Sequence, residues 1–500
     1  MPKEYVPTIG LEIHAELKTR TKMFCSCTND PNEEHPNVNI CPICLGHPGT
    51  LPSPNAEAIR MVQQVGAALG AELAPFSKFD RKNYFYPDLP KNYQISQYDL
   101  PFSSGGSVTL PTSERVIRVR RVHLEEDTAR LLHPEGASYT LVDYNRAGRP
   151  LMELVTEPDI KSGDEASSFA EELQKILRYL GTSDANMEKG QMRVEVNISL
   201  FPKSTEPIAN SQELGTKVEI KNLNSFRSVR AAVDYEIGRQ KKLLEEGEKI
   251  VQETRGWHDV KQITFSQRVK EEAHDYRYFP EPDIPPFRFN DAYIQNIRES
   301  IPELPQARSD RYAREYTLEP KEITLLVQEK DLGAYFEEVM SELAAWEKTE
   351  RVPDTNIARR LAVNYLTSDL LGILRKQGSS VRDITIEPED FAELIKILAQ
   401  QKITSRIAKN LLLTMFETGG DPSELLEERR LLGGATQENL DAVAAKVISE
   451  NVKACEDFRA GKAQALQFLI GKVIAATRGA ANPESAAEAL KKQIGFSIDK

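Results

Sequence analysis

The sequence predicts an α+β domain followed by an all-helical extension. Over residues 1–292, segments of period two alternate with helical segments and turns, which is typical of an antiparallel sheet covered on one face by helices. Four prolines within residues 275–286 end this part, because proline at that density interrupts both helix and sheet. Beyond it, helical periodicity dominates. A chain of 500 residues is longer than a single hydrophobic core usually supports, so several domains are expected. We predict an α+β domain at 1–292, a helical domain at 293–410 and a helical tail at 411–500.

The first predicted strand covers residues 8–17. Its odd positions are apolar from 9 to 17, and its even positions bring Glu12, His14 and Glu16 to the opposite face. A carboxylate, an imidazole and a second carboxylate are ligand types that a divalent metal uses. A strand face that simply meets solvent is the alternative.

Two later segments alternate in the same way, at 192–200 and 217–221. Their polar faces carry Arg193, Glu195, Asn197 and Ser199 in the first segment, and Lys217, Glu219 and Lys221 in the second. Helices are predicted at 55–73, with Asn55 as the N-cap, at 164–180 and at 226–246.

Four of the five cysteines are clustered in the loop at 25–44. Cys25-Ser-Cys27 and Cys41-Pro-Ile-Cys44 flank thirteen residues, and such paired spacing suits tetrahedral thiolate coordination of zinc. Four thiolates leave no open position, so the zinc is expected to be structural. His35 and His47 are possible substitute ligands, and the first pair is C-x-C rather than the more usual C-x-x-C.

Net charge and the distribution of apolar residues indicate the location of the protein and the partners it can bind. A net charge of −12 argues against binding nucleic acid across the whole surface but leaves a local RNA site open. The N-terminus has neither the basic start nor the apolar stretch of a signal peptide. No apolar run approaches the roughly 20 residues that span a bilayer. We therefore expect a cytoplasmic protein with no membrane contact.

The chain has neither a Walker loop nor a Rossmann glycine motif, so nucleotide phosphates would need Mg²⁺ held by carboxylates, with Lys and Arg around it. His123-Leu-Glu-Glu-Asp127 concentrates three carboxylates, and Asn145-Arg-Ala-Gly-Arg-Pro-Leu-Met-Glu153 places another after a turn with two arginines. A surface acidic cluster and a solvated turn are the respective alternatives. The polar-aromatic segments at 79–88 and 91–97 suit either base stacking or tyrosines packed under a loop.

Several of these segments together resemble the B subunit of the aspartyl/glutamyl-tRNA amidotransferases. The resemblance runs in order along the chain. It rests on Ile9-Gly-Leu-Glu-Ile-His14, Lys78-Phe-Asp-Arg-Lys-Asn-Tyr-Phe-Tyr-Pro87, Gln94-Ile-Ser-Gln97, Val142-Asp-Tyr-Asn-Arg-Ala-Gly-Arg-Pro-Leu-Met-Glu-Leu-Val155, Glu219-Ile-Lys-Asn-Leu-Asn-Ser-Phe226, Asp275-Tyr-Arg-Tyr-Phe-Pro-Glu-Pro-Asp283, Ile301-Pro-Glu-Leu-Pro305 and Gly461-Lys-Ala-Gln-Ala-Leu-Gln-Phe-Leu-Ile-Gly471.

This resemblance implies a cradle-like kinase domain related to the glutamine synthetase group, then a helical domain and a tail that hold tRNA. The B subunit would use ATP and Mg²⁺ to phosphorylate the side-chain carboxylate of Glu or Asp mischarged on tRNA(Gln) or tRNA(Asn). An amidase A subunit would supply ammonia from glutamine, and a small C subunit would brace the heterotrimer.

Carried over by motif, the Mg²⁺ ligands and catalytic residues would be Glu12, His14, Glu126 and Glu153. Weaker candidates for lining the substrate site, the ATP site or an ammonia channel are Lys82, Tyr84, Arg149, Glu195, Lys217 and Lys221. Zinc rests on the cysteine spacing rather than on the resemblance, because the quartet occurs in only part of that family.

Two rival interpretations are less consistent with the sequence. The archaeal E subunit carries an inserted domain, for which the helical part after Pro286 leaves no room. A zinc-stabilised RNA-binding protein without catalysis would need a basic face and no carboxylate–histidine pocket, and the first 290 residues have the reverse balance.

Overall fold

The chain divides into two units, the first ending at Ala307 and the second beginning at Arg308. The computed structural model describes residues 4–202, 215–269, 276–349, 355–428, 437–477, 481 and 483–494. Asp275, part of one family-like motif, lies outside the described residues. The predicted order, an α+β part followed by a helical part, is confirmed.

The first unit contains all the strands of the described residues. They are β1 (Tyr5–Glu16), β2 (Glu72–Leu73), β3 (Phe76–Ser77), β4 (Asp80–Asn83), β5 (Tyr93–Ser96), β6 (Ser103–Ser104), β7 (Ser107–Thr109), β8 (Val116–Glu126), β9 (Arg130–Leu132), β10 (Leu141–Asp143), β11 (Pro150–Thr156), β12 (Met192–Pro202), β13 (Val218–Leu223), β14 (Glu253–His258), β15 (Ile263–Val269), β16 (Phe279–Pro280) and β17 (Phe287–Arg288). Its helices are α1 (Ala56–Ala68), α2 (Gly163–Leu180), α3 (Phe226–Glu245) and α4 (Asp291–Glu299).

One large sheet organises this unit. Its strand order is β15-β14-β13-β12-β1-β11-β8-β6-β2, with β7 also paired to β8. The prediction of an antiparallel sheet is wrong at one pair, since β13 and β14 run parallel. Helix α3 connects these two strands and returns the chain to the same edge, which is the connection that a parallel pair requires. Three smaller sheets join β16-β4-β5, β9-β10 and β3-β17.

The two faces of the sheet differ in character. Apolar side chains from β1, β8, β11 and β12 form the core together with α1, α2 and α3, and Ile9 and Ile13 of β1 are completely buried there. The even-numbered side chains of β1 point to the other face. The site described below lies on that second face.

Helix α1 begins where predicted but ends earlier. The side chain of Asn55 accepts hydrogen bonds from the N–H groups of Glu57 and Ala58, as an N-cap does. The predicted end at residue 73 is wrong, because the helix stops at Ala68 and Gly70 adopts a left-handed φ of 71°. Glu72 and Leu73 then pair with β6 as an edge strand, so strand pairing replaces the last predicted turn.

The second unit contains helices and turns but no strand among its described residues. Helix α5 (Pro305–Tyr316) leads into α6 (Pro320–Gln328), α7 (Lys330–Thr349), α8 (Thr355–Asn364), a π-helix (Tyr365–Leu370), α9 (Leu371–Gln377), a 3₁₀ turn (Val381–Asp383), α10 (Pro388–Ala399), α11 (Ser405–Thr418), α12 (Pro422–Glu428), α13 (Gln437–Glu450), α14 (Val452–Arg459), α15 (Ala463–Ala476) and α16 (Pro483–Ile494). Helix α11 is continuous across residue 410, and a division into a helical domain and a tail stays a prediction. None of the described helices is long and apolar enough to cross a membrane.

Candidate active site and cysteine cluster

Three adjacent strands bring a set of acids and histidines to one face of the large sheet. His14 of β1 lies opposite Glu153 of β11, and Glu153 lies opposite His123 of β8. Directly opposed residues in an antiparallel pair project to the same face. Period two adds Glu12 and Glu125 to this face, and we call the five residues the acid–histidine cluster.

The cluster is tight and largely buried. The Nε2 atom of His14 lies 3.3 Å from Glu153 Oε2 and 3.5 Å from Glu125 Oε1. The Nε2 atom of His123 lies 3.3 Å from the same Glu153 oxygen. Glu12 is the most exposed member, and its carboxylate is 4.0 Å from His14 Nε2. Carboxylates and imidazoles concentrated in this way form the donor set of a divalent cation site.

Burial and mutual contact set the protonation of the cluster. Burial, followed by the charge of Glu153, raises the pKa of Glu12 to about 7. Burial would also raise the pKa of Glu153, but His123 and His14 hold it well below its usual range. Burial alone would lower the pKa of His14, whereas its hydrogen bonds to Glu125 and Glu153 raise it well above the usual range. The cluster therefore combines one carboxyl group that titrates near neutrality with firmly ionised neighbours.

Glu126, predicted as a member, is not brought together with Glu12, His14 and Glu153. It follows Glu125 in β8, so its side chain projects to the opposite face of the sheet. There its carboxylate lies 2.6 Å from Lys91 Nζ and accepts the N–H of Ile95 at 3.0 Å. The prediction missed Glu125 and His123, although the period-two spacing of 123 and 125 was a signal that pairs these two residues on one face.

Four of the weaker site candidates lie on or beside the acid–histidine cluster. Lys82 faces the cluster: burial opposes its charge, but the carboxylates of Glu125 and Glu153 raise its pKa above the usual range. Glu195 lies opposite Glu12 on the neighbouring strand β12, and Lys221 Nζ is 2.8 Å from its carboxylate. Tyr84 belongs to an aromatic group beside Lys82, with its ring centroid 6.0 Å from that of Tyr276.

Two of the basic side chains predicted for the site lie apart from the acid–histidine cluster. Arg149 is bound to Glu16, with Nη1 3.2 Å from the carboxylate, and Nη2 donates to the carbonyl of Asp30 at 2.6 Å. Lys217 is exposed and lies just before the first residue of β13. Arg193, which was not singled out as a site residue, lies opposite His14 and donates to the buried Asp127 at 2.6 Å.

The four clustered cysteines converge, and their sulfur atoms lie within 4.8 Å of one another. Cys25 and Cys44 are buried, and the N–H of Cys41 points at Cys44 Sγ at 3.1 Å. The fully buried Lys22 places its ammonium 3.7 Å from the same sulfur. A hydrogen bond from Cys25 lowers the pKa of Cys44 to about 4, the strongest effect at this thiol.

This arrangement fits a tetrahedral zinc site in its donor chemistry, since four sulfurs and one buried countercharge are gathered in one place. The sulfur cluster does not include His35, which is exposed and contacts Glu33 at 3.0 Å. His47 instead lines a neighbouring cavity of about 190 Å³, together with Cys25 and Cys44. Four cysteines close together are thus able to bind a metal ion.

Comparison with known proteins finds two family matches along the chain. Residues 7–295 match the family described as the GatB/GatE catalytic domain, and residues 349–494 match the GatB domain. The chain therefore carries the catalytic domain of a GatB-type protein, and it belongs to the GatB family.

Full-length relatives carry one name. A protein of Thermomicrobium roseum is 45% identical over 500 residues, which cover 99% of this chain and 100% of the relative. Proteins of Carboxydothermus hydrogenoformans and Persephonella marina are 42% and 43% identical, over 98% and 96% of this chain and 99% and 98% of their own lengths. Each of the three is named as the B subunit of an aspartyl/glutamyl-tRNA(Asn/Gln) amidotransferase.

Proposed function

We propose that the protein is the B subunit of a glutamine-hydrolysing, ATP-dependent tRNA amidotransferase. The observation that carries this proposal is the acid–histidine cluster, placed on one sheet face within the segment that matches the GatB/GatE catalytic domain. Its partners would be an amidase A subunit and a small C subunit in the cytoplasm. Its substrates would be Glu-tRNA(Gln), Asp-tRNA(Asn) or both.

The proposed reaction has two steps. The γ-phosphoryl group of ATP is transferred to an oxygen of the substrate's side-chain carboxylate, and ADP leaves. Ammonia from the A subunit then attacks the activated carbonyl carbon, inorganic phosphate leaves, and the product is Gln-tRNA(Gln) or Asn-tRNA(Asn). The first step is needed because a carboxylate oxygen is a poor leaving group, whereas phosphate is a good one.

Glu12, His14, Glu125 and Glu153 would hold Mg²⁺, with Glu125 replacing Glu126 in the predicted set. The donor set supports this, because Mg²⁺ prefers oxygen ligands and three of these four residues offer carboxylate oxygens. When bound, the ion would neutralise the charge that builds up between the phosphates and the acceptor carboxylate. His123 would orient Glu153, whose oxygen it contacts at 3.3 Å.

The lysine and arginine side chains around the acid–histidine cluster would bind anionic groups of the substrates. Lys82 and Arg193 flank it from two sides, and each already interacts with carboxylates of the site. Lys221 bridges Glu195 and Glu219, at 2.8 and 3.5 Å, and would keep these acids from repelling a phosphate. These residues bind and orient, and none of them needs to transfer a proton.

Three structural parts of the proposal accompany this chemistry. The first unit would be a cradle-like kinase domain related to the glutamine synthetase group. The helical part, with the tail at 411–500, would hold tRNA. The four cysteines would bind structural Zn²⁺, which fixes the loop at 25–44 beside the large sheet.

The deciding experiment measures tRNA-dependent ATP hydrolysis and amide formation in the complex co-purified with its amidase, with each mischarged tRNA supplied separately. Glu153→Gln should lower ATP hydrolysis by about 100-fold or more, since it removes charge where the transition state needs it. Glu157→Gln is the matched control, because this partly exposed acid is paired with Arg120 and lies outside the cluster. Unchanged hydrolysis in Glu153→Gln would refute the proposed site.

A further inference from the structure

A run of tyrosine rings borders the acid–histidine cluster. Tyr98 and Tyr278 are stacked, with ring centroids 4.4 Å apart and planes 14° from parallel. Tyr278 meets Tyr276 edge to face at 6.0 Å, and Tyr276 meets Tyr84 in the same way at 6.0 Å. We call these four residues the tyrosine shelf.

The tyrosine shelf adjoins the cluster at two points. The ammonium of Lys82, which faces Glu125 and Glu153, lies 5.3 Å from the ring centroid of Tyr276. Ser96, two residues before Tyr98, donates its hydroxyl hydrogen to Glu125 at 3.0 Å. Burial raises the pKa of Tyr278 to about 12, and Glu125 and Glu153 contribute to that rise. The tyrosine shelf therefore borders the proposed metal site.

The outer ring of the shelf is exposed yet firmly positioned. Tyr98 is 56% exposed, although its partner ring Tyr278 is more protected. The N–H of Tyr98 donates to the buried carboxylate of Asp80 at 3.1 Å, and Lys78 is paired with that same carboxylate. The backbone of Tyr98 is thus anchored and its ring is stacked on Tyr278, so the side chain loses little conformational entropy when a ligand stacks on its other face.

We propose that the tyrosine shelf is an adenine-binding site, in which the exposed face of Tyr98 stacks on the purine ring of a nucleotide whose other end lies at the acid–histidine cluster. Aromatic side chains accept bases through their π-faces, and an adjacent cation strengthens that contact. This inference rests on the proposed function, because two adenosines would enter such a site: that of ATP and the 3′-terminal adenosine of the mischarged tRNA.

The test uses Tyr98→Leu and Tyr98→Phe in the co-purified complex. Leucine removes the π-face, and phenylalanine keeps it. Steady-state kinetics should give a KM for one of the two adenosine-bearing substrates raised about tenfold in the leucine variant and near wild type in the phenylalanine variant. Tyr139→Leu, at another exposed tyrosine of the same unit, is the matched control for loss of a surface ring.

Each outcome decides a separate point. A raised KM for ATP assigns the shelf to the adenine of ATP, and a raised KM for mischarged tRNA assigns it to the terminal adenosine. Unchanged KM values for both, or a fall in kcat alone, overturn the adenine site while the proposed function stands. If the wild-type complex neither binds nor hydrolyses ATP, the proposed function itself fails. Circular dichroism of each variant shows that its fold is retained.

Discussion

Glu125 and Glu126 are adjacent in sequence but separated by the sheet, and this separation gives a sharp test of the metal site. Glu125→Gln should lower tRNA-dependent ATP hydrolysis by about 100-fold, because it removes a buried carboxylate 3.5 Å from His14. Glu126→Gln should leave hydrolysis within a few-fold of wild type, since its contacts are with Lys91 and the backbone of Ile95. Thermal melts check that both variants fold. Equal losses in the two variants would contradict the placement of Glu125 in the site.

The elevated pKa of Glu12 makes metal binding depend on pH. A carboxyl group that titrates near pH 7 in the metal-free protein must lose its proton before it can act as a ligand. His14, whose pKa is raised well above its usual range, must also lose its proton to bind the ion, so the apparent Mg²⁺ affinity should fall as the pH is lowered through 7 and should still rise with pH above that value. Titration calorimetry at several pH values measures this slope. In Glu12→Gln the affinity should be lower and its pH dependence around 7 shallower, and an unchanged slope would remove Glu12 from the ligand set.

At the scale of single elements, the cysteine loop depends on contacts other than a hydrophobic core. Residues 29–54 contain turns and bends but neither helix nor strand, and Asn37 and Asn39 tie the loop to β10 and to the segment that follows it. Removing zinc with a chelator should open this loop to proteolysis while the large sheet stays intact. Limited proteolysis with mass spectrometry should find new cuts within 25–44. Cys27→Ser should behave like the chelated protein, and cuts spread evenly through the first unit would contradict a local role.

Strands and helices with a regular apolar period could be predicted from the sequence, but the pairing of each strand with its neighbours could not. The strands at 8–17, 192–200 and 217–221 and the helices at 164–180 and 226–246 follow from local periodicity alone. Whether Glu125 or Glu126 belongs to the site depends on which face of β8 carries the site. The register of β8 with β11, a strand about 30 residues later in the chain, decides which face that is. The same holds for His123, whose role depends on lying opposite Glu153 rather than on its own neighbours in sequence.

At the scale of the whole molecule, the described helices near the C-terminus form a core of their own. Its members are Leu440, Ala444, Val447, Cys455, Leu469, Ile470, Val473, Ala481, Ala486, Ala489, Leu490 and Ile494. The acid–histidine cluster, by contrast, belongs entirely to the first unit. Recognition of tRNA and activation of the carboxylate are therefore expected to be separable by truncation.

A chain that ends at Glu428, the last residue of α12, tests this separation without cutting the helix that crosses residue 410. It should keep Mg²⁺ affinity within about twofold of the full chain, because every proposed ligand lies in the first unit. Its affinity for tRNA should fall at least about tenfold, since the tail is proposed to supply part of the RNA contact. Filter binding at fixed ionic strength measures the affinity for tRNA, and calorimetry measures the affinity for Mg²⁺. Undiminished tRNA affinity would show that the tail does not hold tRNA, whereas loss of Mg²⁺ binding would show that the first unit needs the tail to form its site.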